Sequence, residues 1–284
     1  MPGMGAVALA FASSVSWGVA DFVGGLKSRS LPLLNVLIAS QVTGLILIGA
    51  FVAVRGEAAP GGDFAIFAAL AAGAGISGLA AFYRALAVGN MGVVAPISSC
   101  AALVPVVVGI ATGDRPSGLQ AAGLALAIGG VVLASREEVA GEGPAPRRIA
   151  PGAGLAIVSA LGFGFFFLAM DRASDGDVAW AMLVNRITGV SLLAAAVLAF
   201  RPPFRAGRRD LAALVGTGTL DVAANAMFGI AATKGLVSVV SVCGSLYPIT
   251  TVALAGAVLH ERPHRLAQVG VVTALAGVAL IAAG

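Results

Sequence analysis

Charge is what this sequence has least of. Only 11% of its residues are Asp, Glu, Lys or Arg, against 59% hydrophobic ones, and its mean hydropathy is +1.00. Soluble domains carry about 25% charged residues. One aqueous core cannot hide so much apolar surface, so the implied solvent is lipid and a soluble globular domain is excluded. Lys27 and Lys234 are its lysines, and no basic run is interleaved with aromatics, which excludes nucleic acid as a partner. Cys100 and Cys243, its 2 cysteines, both lie inside apolar runs, which excludes a disulfide scaffold. Its 2 histidines, His260 and His264, bracket Glu261, but Pro263 between them breaks the continuous helix that a shared metal would need, so no metal site is expected. The Gly-rich runs Gly73-Ala74-Gly75 and Gly162-Phe163-Gly164 have no Lys-Ser/Thr at phosphate-loop spacing, so neither a nucleotide nor any other cofactor is implied. The N-terminus lacks the basic start of a signal peptide, and its apolar run continues to Gly25 as a first membrane helix.

What the chain does have is long apolar runs. About 20 residues at 1.5 Å each cross a hydrocarbon core of about 30 Å. Breaks at charged or Gly/Pro punctuation give ten spans: 5–25, 32–54, 64–88, 91–112, 118–134, 151–170, 178–199, 211–233, 236–259 and 266–283. Backbone polar groups in lipid need partners within their own segment, so the spans are helices. The one extended polar stretch, Ser135 to Ala150, reads as a linker between residues 1–134 and 151–284.

The two parts repeat one another. Asp114-Arg115-Pro116 with Gln120 returns as Glu261-Arg262-Pro263 with Gln268, roughly 147 residues on. At similar offsets Trp17-Gly18 matches Phe163-Gly164, Val42-Thr43-Gly44 matches Ile187-Thr188-Gly189, and Asp63 matches Asp210, both as expected helix N-caps. Five spans separate equivalent points. Five is odd, so the second half is expected upside down, and the fold class is an all-α membrane protein of ten helices in two inverted five-helix repeats. The loops after spans one, five, seven and nine hold Lys27, Arg29, Arg136, Arg147, Arg148, Arg201, Arg205, Arg208, Arg209, Arg262 and Arg265; the opposite loops hold Arg55, Arg115, Arg172 and Lys234. This excess places the first set in the cytoplasm and both termini outside.

These residues resemble the EamA-type transporters of the drug/metabolite transporter superfamily. The resemblance rests on Trp17-Gly18 with Phe22, on Arg186 at the family's arginine position, and on the acidic-Arg-Pro ending that appears twice, the second copy continuing to Gln268-Val269-Gly270. The chain departs from the pattern at Asp114, where Glu is usual, and at Gln41, which stands where the second half has Arg186. The resemblance implies a ten-helix carrier of small metabolites, including amino acids, often moving them outward. It also implies an integral protein of the bacterial inner membrane and no enzymatic activity.

An ionisable group at membrane depth costs at least about 2.5–3.5 kcal/mol and calls for a reason. Asp221 lies halfway along the eighth span with Asn225 one turn on, and Arg186 lies mid-way along the seventh beside Asn185. Two readings stand for Asp221 and Arg186: they border a central cavity as proton-titratable acid and substrate contact, or they form a structural ion pair. Trp17 and Asp21, one turn apart, read either as a wall and acid near one mouth or as an interfacial anchor with a solvated Asp. Tyr83-Arg84 reads first as an interface anchor. Tyr247-Pro248, mid-way along the ninth span, and Pro96 and Pro105 in the fourth read as hinges or static kinks. Two function classes follow. One is a monomeric secondary carrier working by alternating access, with a small-molecule substrate, the bilayer as its surroundings and protons as coupling ion. The other is a membrane-embedded lipid-modifying enzyme, which would require clustered acids, His or Cys at one depth.

Overall fold

The computed structural model describes residues 4–111, 117–134, 150–174, 177–203, 206–234, 246–261 and 265–283, and among these residues every regular element is helical. The helices are α1 (Met4–Lys27), α2 (Leu33–Arg55), α3 (Phe64–Val88), α4 (Met91–Ser99), α5 (Leu103–Ala111), α6 (Gly118–Ala134), α7 (Ala153–Ser174), α8 (Val178–Phe200), α9 (Arg208–Lys234), α10 (Tyr247–Leu254) and α11 (Arg265–Ala283). Six are long and apolar enough to cross a membrane: α1, α2, α3, α7, α8 and the 208–228 part of α9. The chain is thus an integral membrane protein. The expected third and fifth spans match α3 and α6 end to end.

The expected fourth span is broken. A 3-10 turn, Cys100–Ala102, separates α4 from α5 between Pro96 and Pro105. Pro105 has no N–H for the Ala101 carbonyl to accept, which weakens the helix there. The ninth span is described from α10 onward, where Pro248 occupies the first turn and is tolerated without its N–H. Pro248 is therefore a helix start within the described residues and not a mid-helix kink. α10 runs into a π-helical turn at Ala255–Leu259 and stops at His260, whose φ is 57°. Both copies of Arg-Pro, Cys243, His264 and residues 135–149 of the linker lie outside the described residues.

Helix packing follows an exchange between the halves. α1 packs on α9 and α3 on α7; α2 packs on α8, and α6 on α11. Each of these four pairs is antiparallel. Ser13 Oγ donates to the Ala224 carbonyl at 2.8 Å and Ser16 Oγ to the Leu220 carbonyl at 3.0 Å, while Lys27 reaches Asp210 at 2.7 Å. The contacts are close because small residues face backbone. A Cβ at Gly130 would lie 2.3 Å from the Ala274 nitrogen; one at Gly277 would lie 2.3 Å from the Ala127 nitrogen. Gly130 and Gly277, like Ala127 and Ala274, are roughly 147 residues apart, so one contact is the other's repeat. Gly18 against the Thr250 Cβ returns in the same way as Gly164 against the Val104 Cβ.

Polar groups tie the helix ends. Asp177 caps α8, accepting from the Trp180 N–H at 2.9 Å, and pairs with Arg55 at the end of α2. Ser117 and Gln120 form a reciprocal capping box at 3.0 and 3.1 Å before α6. Asp63 holds the N-cap position of α3 but its side chain makes no cap bond. Asp210 lies inside the first turn of α9, where it accepts from the Gly207 N–H at 3.1 Å and from Lys27. The cap expectation for Asp63 thus gives way to position alone, and that for Asp210 to a bond made from within the helix.

Two outcomes follow. Gly130→Ala forces backbone against backbone and should lower stability by about 1–3 kcal/mol, read as a lower melting temperature in detergent. Gly129→Ala, whose Cβ meets nothing within 4 Å, should not. The Arg55 hydrogen bond holds the Asp177 carboxyl below the usual carboxylate range. Its stabilisation is therefore present above the unfolded pKa of about 3.9 and is lost as pH falls through the lower folded value. Asp177→Asn should melt below wild type at pH 7 and match it near the acid end of a pH series.

Candidate functional site

The arginine expected mid-way along the seventh span meets its own counterpart. Arg186 on α8 donates through Nη1 to Gln41 Oε1 on α2, the residue at the matching place in the first half. Its Nη2 pairs with Asp221 on α9. Arg186 is buried, at 9% exposure, and so is Gln41, so both guanidinium contacts are made away from bulk solvent. Hydrogen bonds to ionised groups are the strong ones, and a buried cation needs them. Gly44, one turn below Gln41, leaves room for the guanidinium: a Cβ there would already lie 3.4 Å from its carbon.

Above this pair is a small cavity of about 30 Å³ between the two halves. Ala20 and Asp21 reach it from α1, Ser40 and Gln41 from α2, and Leu79 and Tyr83 from α3. Thr217, Gly218 and Asp221 close it from α9. Gly218 is required by close approach, since a Cβ there would sit 2.3 Å from the Ser40 carbonyl oxygen. A polar space of this size admits water or a small polar group. Its lining is unequal in charge: two carboxylates face it, with one guanidinium beside them.

The residues expected from the sequence separate into three sets. Asp221, Arg186 and Asp21 gather at the cavity. Asn225 stands behind Asp221, donating to its carbonyl at 2.7 Å and to its Oδ1 at 3.4 Å, which steadies the carboxylate. Asn185, Trp17 and Tyr247 do not line the cavity. Asn185 turns to α3 and donates to the Ala68 carbonyl at 3.2 Å, because successive residues on a helix face different neighbours. Trp17 packs on Phe228 at 5.7 Å between α1 and α9, as a wall of that interface and not an anchor in the headgroups. Tyr247 opens α10; its carbonyl abuts Gly18, and Thr251 Oγ1 beside it donates to the Gly18 carbonyl at 3.1 Å.

Two expectations are corrected. Asp21 is not a solvated residue at one mouth; it lines the central cavity opposite Asp221. Tyr83 is not an interface anchor. It is 3% exposed, against the cavity and Gly24, whereas its neighbour Arg84 is exposed as an anchor would be. Missed from the sequence were the roles of Gln41, Ser40 and Thr217. The one signal for Gln41 was its register with Arg186 in the duplication. The acid of the second acidic-Arg-Pro copy also has a role that its spacing hides. Glu261 Oε2 accepts from the Met91 N–H at 2.8 Å, capping α4 of the other half, and its Oε1 binds Arg29 at 2.6 Å.

Known proteins give the same outline. The model of the EamA-like transporter family matches residues 4–136 and again 150–283. A solved structure described only as "Crystal structure of protein" aligns over 97% of this chain and 95% of its own, with a TM-score of 0.65 and 16% sequence identity, a likeness of fold alone. No curated protein matches the chain.

Removing one partner of a buried ion pair costs up to about 3–5 kcal/mol, whereas exchanging both for apolar groups of similar size is often neutral. Arg186→Met should therefore melt well below wild type. The double variant Arg186→Met, Asp221→Leu should regain most of the loss in a double-mutant cycle.

Proposed function

The chain belongs to the EamA-like transporter family, and from that premise we propose that it is a secondary transporter moving small metabolites or amino acids outward across the bacterial inner membrane. The observation that carries the reading is the cavity between the halves, with charged and polar groups from both at its wall. Ten membrane helices in two inverted five-helix repeats supply the architecture. Support comes from antiparallel packing of α2 on α8 and of α6 on α11, the corresponding helices of the two halves.

Alternating access needs two ends that open in turn. Each end of the bundle is tied across the halves by ion pairs. At one end Lys27 pairs with Asp210 and Arg29 with Glu261; at the other Arg55 pairs with Asp177. These pairs are partly open to solvent, which screens them and leaves them weak enough to exchange during a transport cycle. The end holding Lys27 and Arg29 is the cytoplasmic one by the distribution of Lys and Arg, which leaves both termini outside. The carrier works as a monomer and couples to protons, with Asp221 and its cavity neighbours as the coupling group. No observation favours the lipid-modifying enzyme.

The reading is tested in proteoliposomes with labelled amino acids and small metabolites under an imposed pH gradient. Wild type should move at least one of them, faster with the gradient than without. Asp221→Asn should lose that response. A pH dependence unchanged in the variant removes Asp221 from coupling, and absence of flux for the whole panel with turnover of a lipid removes the carrier reading.

A further inference from the structure

The cavity holds more acid than base, and the surplus sits on one residue. Arg186 is committed, with one arm on Asp221 and the other on Gln41. Among the described cations, Lys27 holds Asp210, Arg29 holds Glu261, and Arg84 is exposed. Asp21 is left without a cation, and among the described residues no donor hydrogen-bonds its carboxylate. The groups around it are Tyr83 from α3, Asp221 from α9, Ser40 and Gln41 from α2, and Tyr247 from α10, close enough to sense its charge. None is basic.

The fold does not ask for an acid here. Roughly 146 residues on, the equivalent place is Phe167, turned outward on α7. An unneutralised carboxylate at membrane depth is costly and marks a functional site. Asp221 does not share this position, because Arg186 already neutralises it. Taken together, the cavity with Arg186 carries one net negative charge when both acids are ionised, and the cavity wall repels anions.

Building on the carrier reading above, we propose that the cavity selects monocations and that Asp21 is the carboxylate that receives the cargo's ammonium group. In the absence of cargo Asp21 holds a proton. The arriving ammonium displaces that proton to solvent, so charge balances at each step. This narrows the cargo from small metabolites in general to those with a net positive charge, and makes the exchange of cation for proton the coupling step.

The test uses the full-length protein in detergent with three probes of equal length: n-butylammonium, butanoate and butanol. By calorimetry butylammonium should bind about tenfold or more tighter than the other two. In weakly buffered solution about one proton should appear per bound cation. Asp21→Asn should lose the preference and the proton release; Asp21→Glu should keep both. Should the Asn variant fail to fold, the wild-type comparison and Asp21→Glu still decide. Equal binding of the three probes, tighter binding of butanoate, no binding of any probe, or a cation preference retained in Asp21→Asn would each overturn the inference. None of these touches the carrier reading, whose flux test is independent of the sign of the cargo's charge.

Discussion

Helices surrounded by lipid gain nothing by hiding apolar side chains from water, so they hold together only where their surfaces approach closely. That constraint organises this protein. Gly130 and Gly277 bring α6 and α11 to backbone contact, Gly18 seats α1 on α10 and Gly164 seats α7 on α5, and Gly218 lets α9 meet α2. Each of the first two contacts has its repeat in the opposite half. A duplicated sequence thus yields a duplicated set of contacts, and among the described residues the pairing of α1 with α9 and α3 with α7 joins the halves more extensively than either half joins itself.

At the centre the repetition stops. Gln41 and Arg186 occupy equivalent places in the duplicated sequence and touch one another. One is neutral and the other charged, so the guanidinium needs an anion that the first half does not supply. Asp221 supplies it from α9, with Asn225 holding the carboxylate from behind. The small residues at the corresponding turn of α3 (Gly73, Ala74 and Gly75) make no such demand. Packing is therefore common to both halves, whereas charge belongs to particular places, and those places face the cavity.

Much of this was legible in the sequence because lipid simplifies the reading. Apolar length alone delimits α3 and α6, and the duplication points to Arg186 and Asp221 by their absence from the other half. What was hidden is direction. Asn185 and Arg186 are neighbours in sequence, yet one turns to α3 and the other to the cavity, and an almost wholly apolar helix carries no moment to say which face is which. Tyr83 beside Arg84 looks like a headgroup pair for the same reason: the residue that snorkels and the one that is buried differ only by rotation about the helix. The interruption between α4 and α5 was visible as two prolines, but not that the helix would yield there.

Glu261 shows how a repeated motif can mislead about its own purpose. Its spacing marks a turn expected to begin the last helix. Its carboxylate, however, caps the N-terminus of α4 in the other half and holds Arg29 after α1. The orphan N–H groups of a helix start need an acceptor, and an anion answers the positive end of the helix dipole as well. An acid placed at the junction of α10 and α11 thus fixes the entrance of a helix from the opposite repeat. Any rearrangement of one half against the other must break or carry along this contact, so the motif that counts the repeats also joins them.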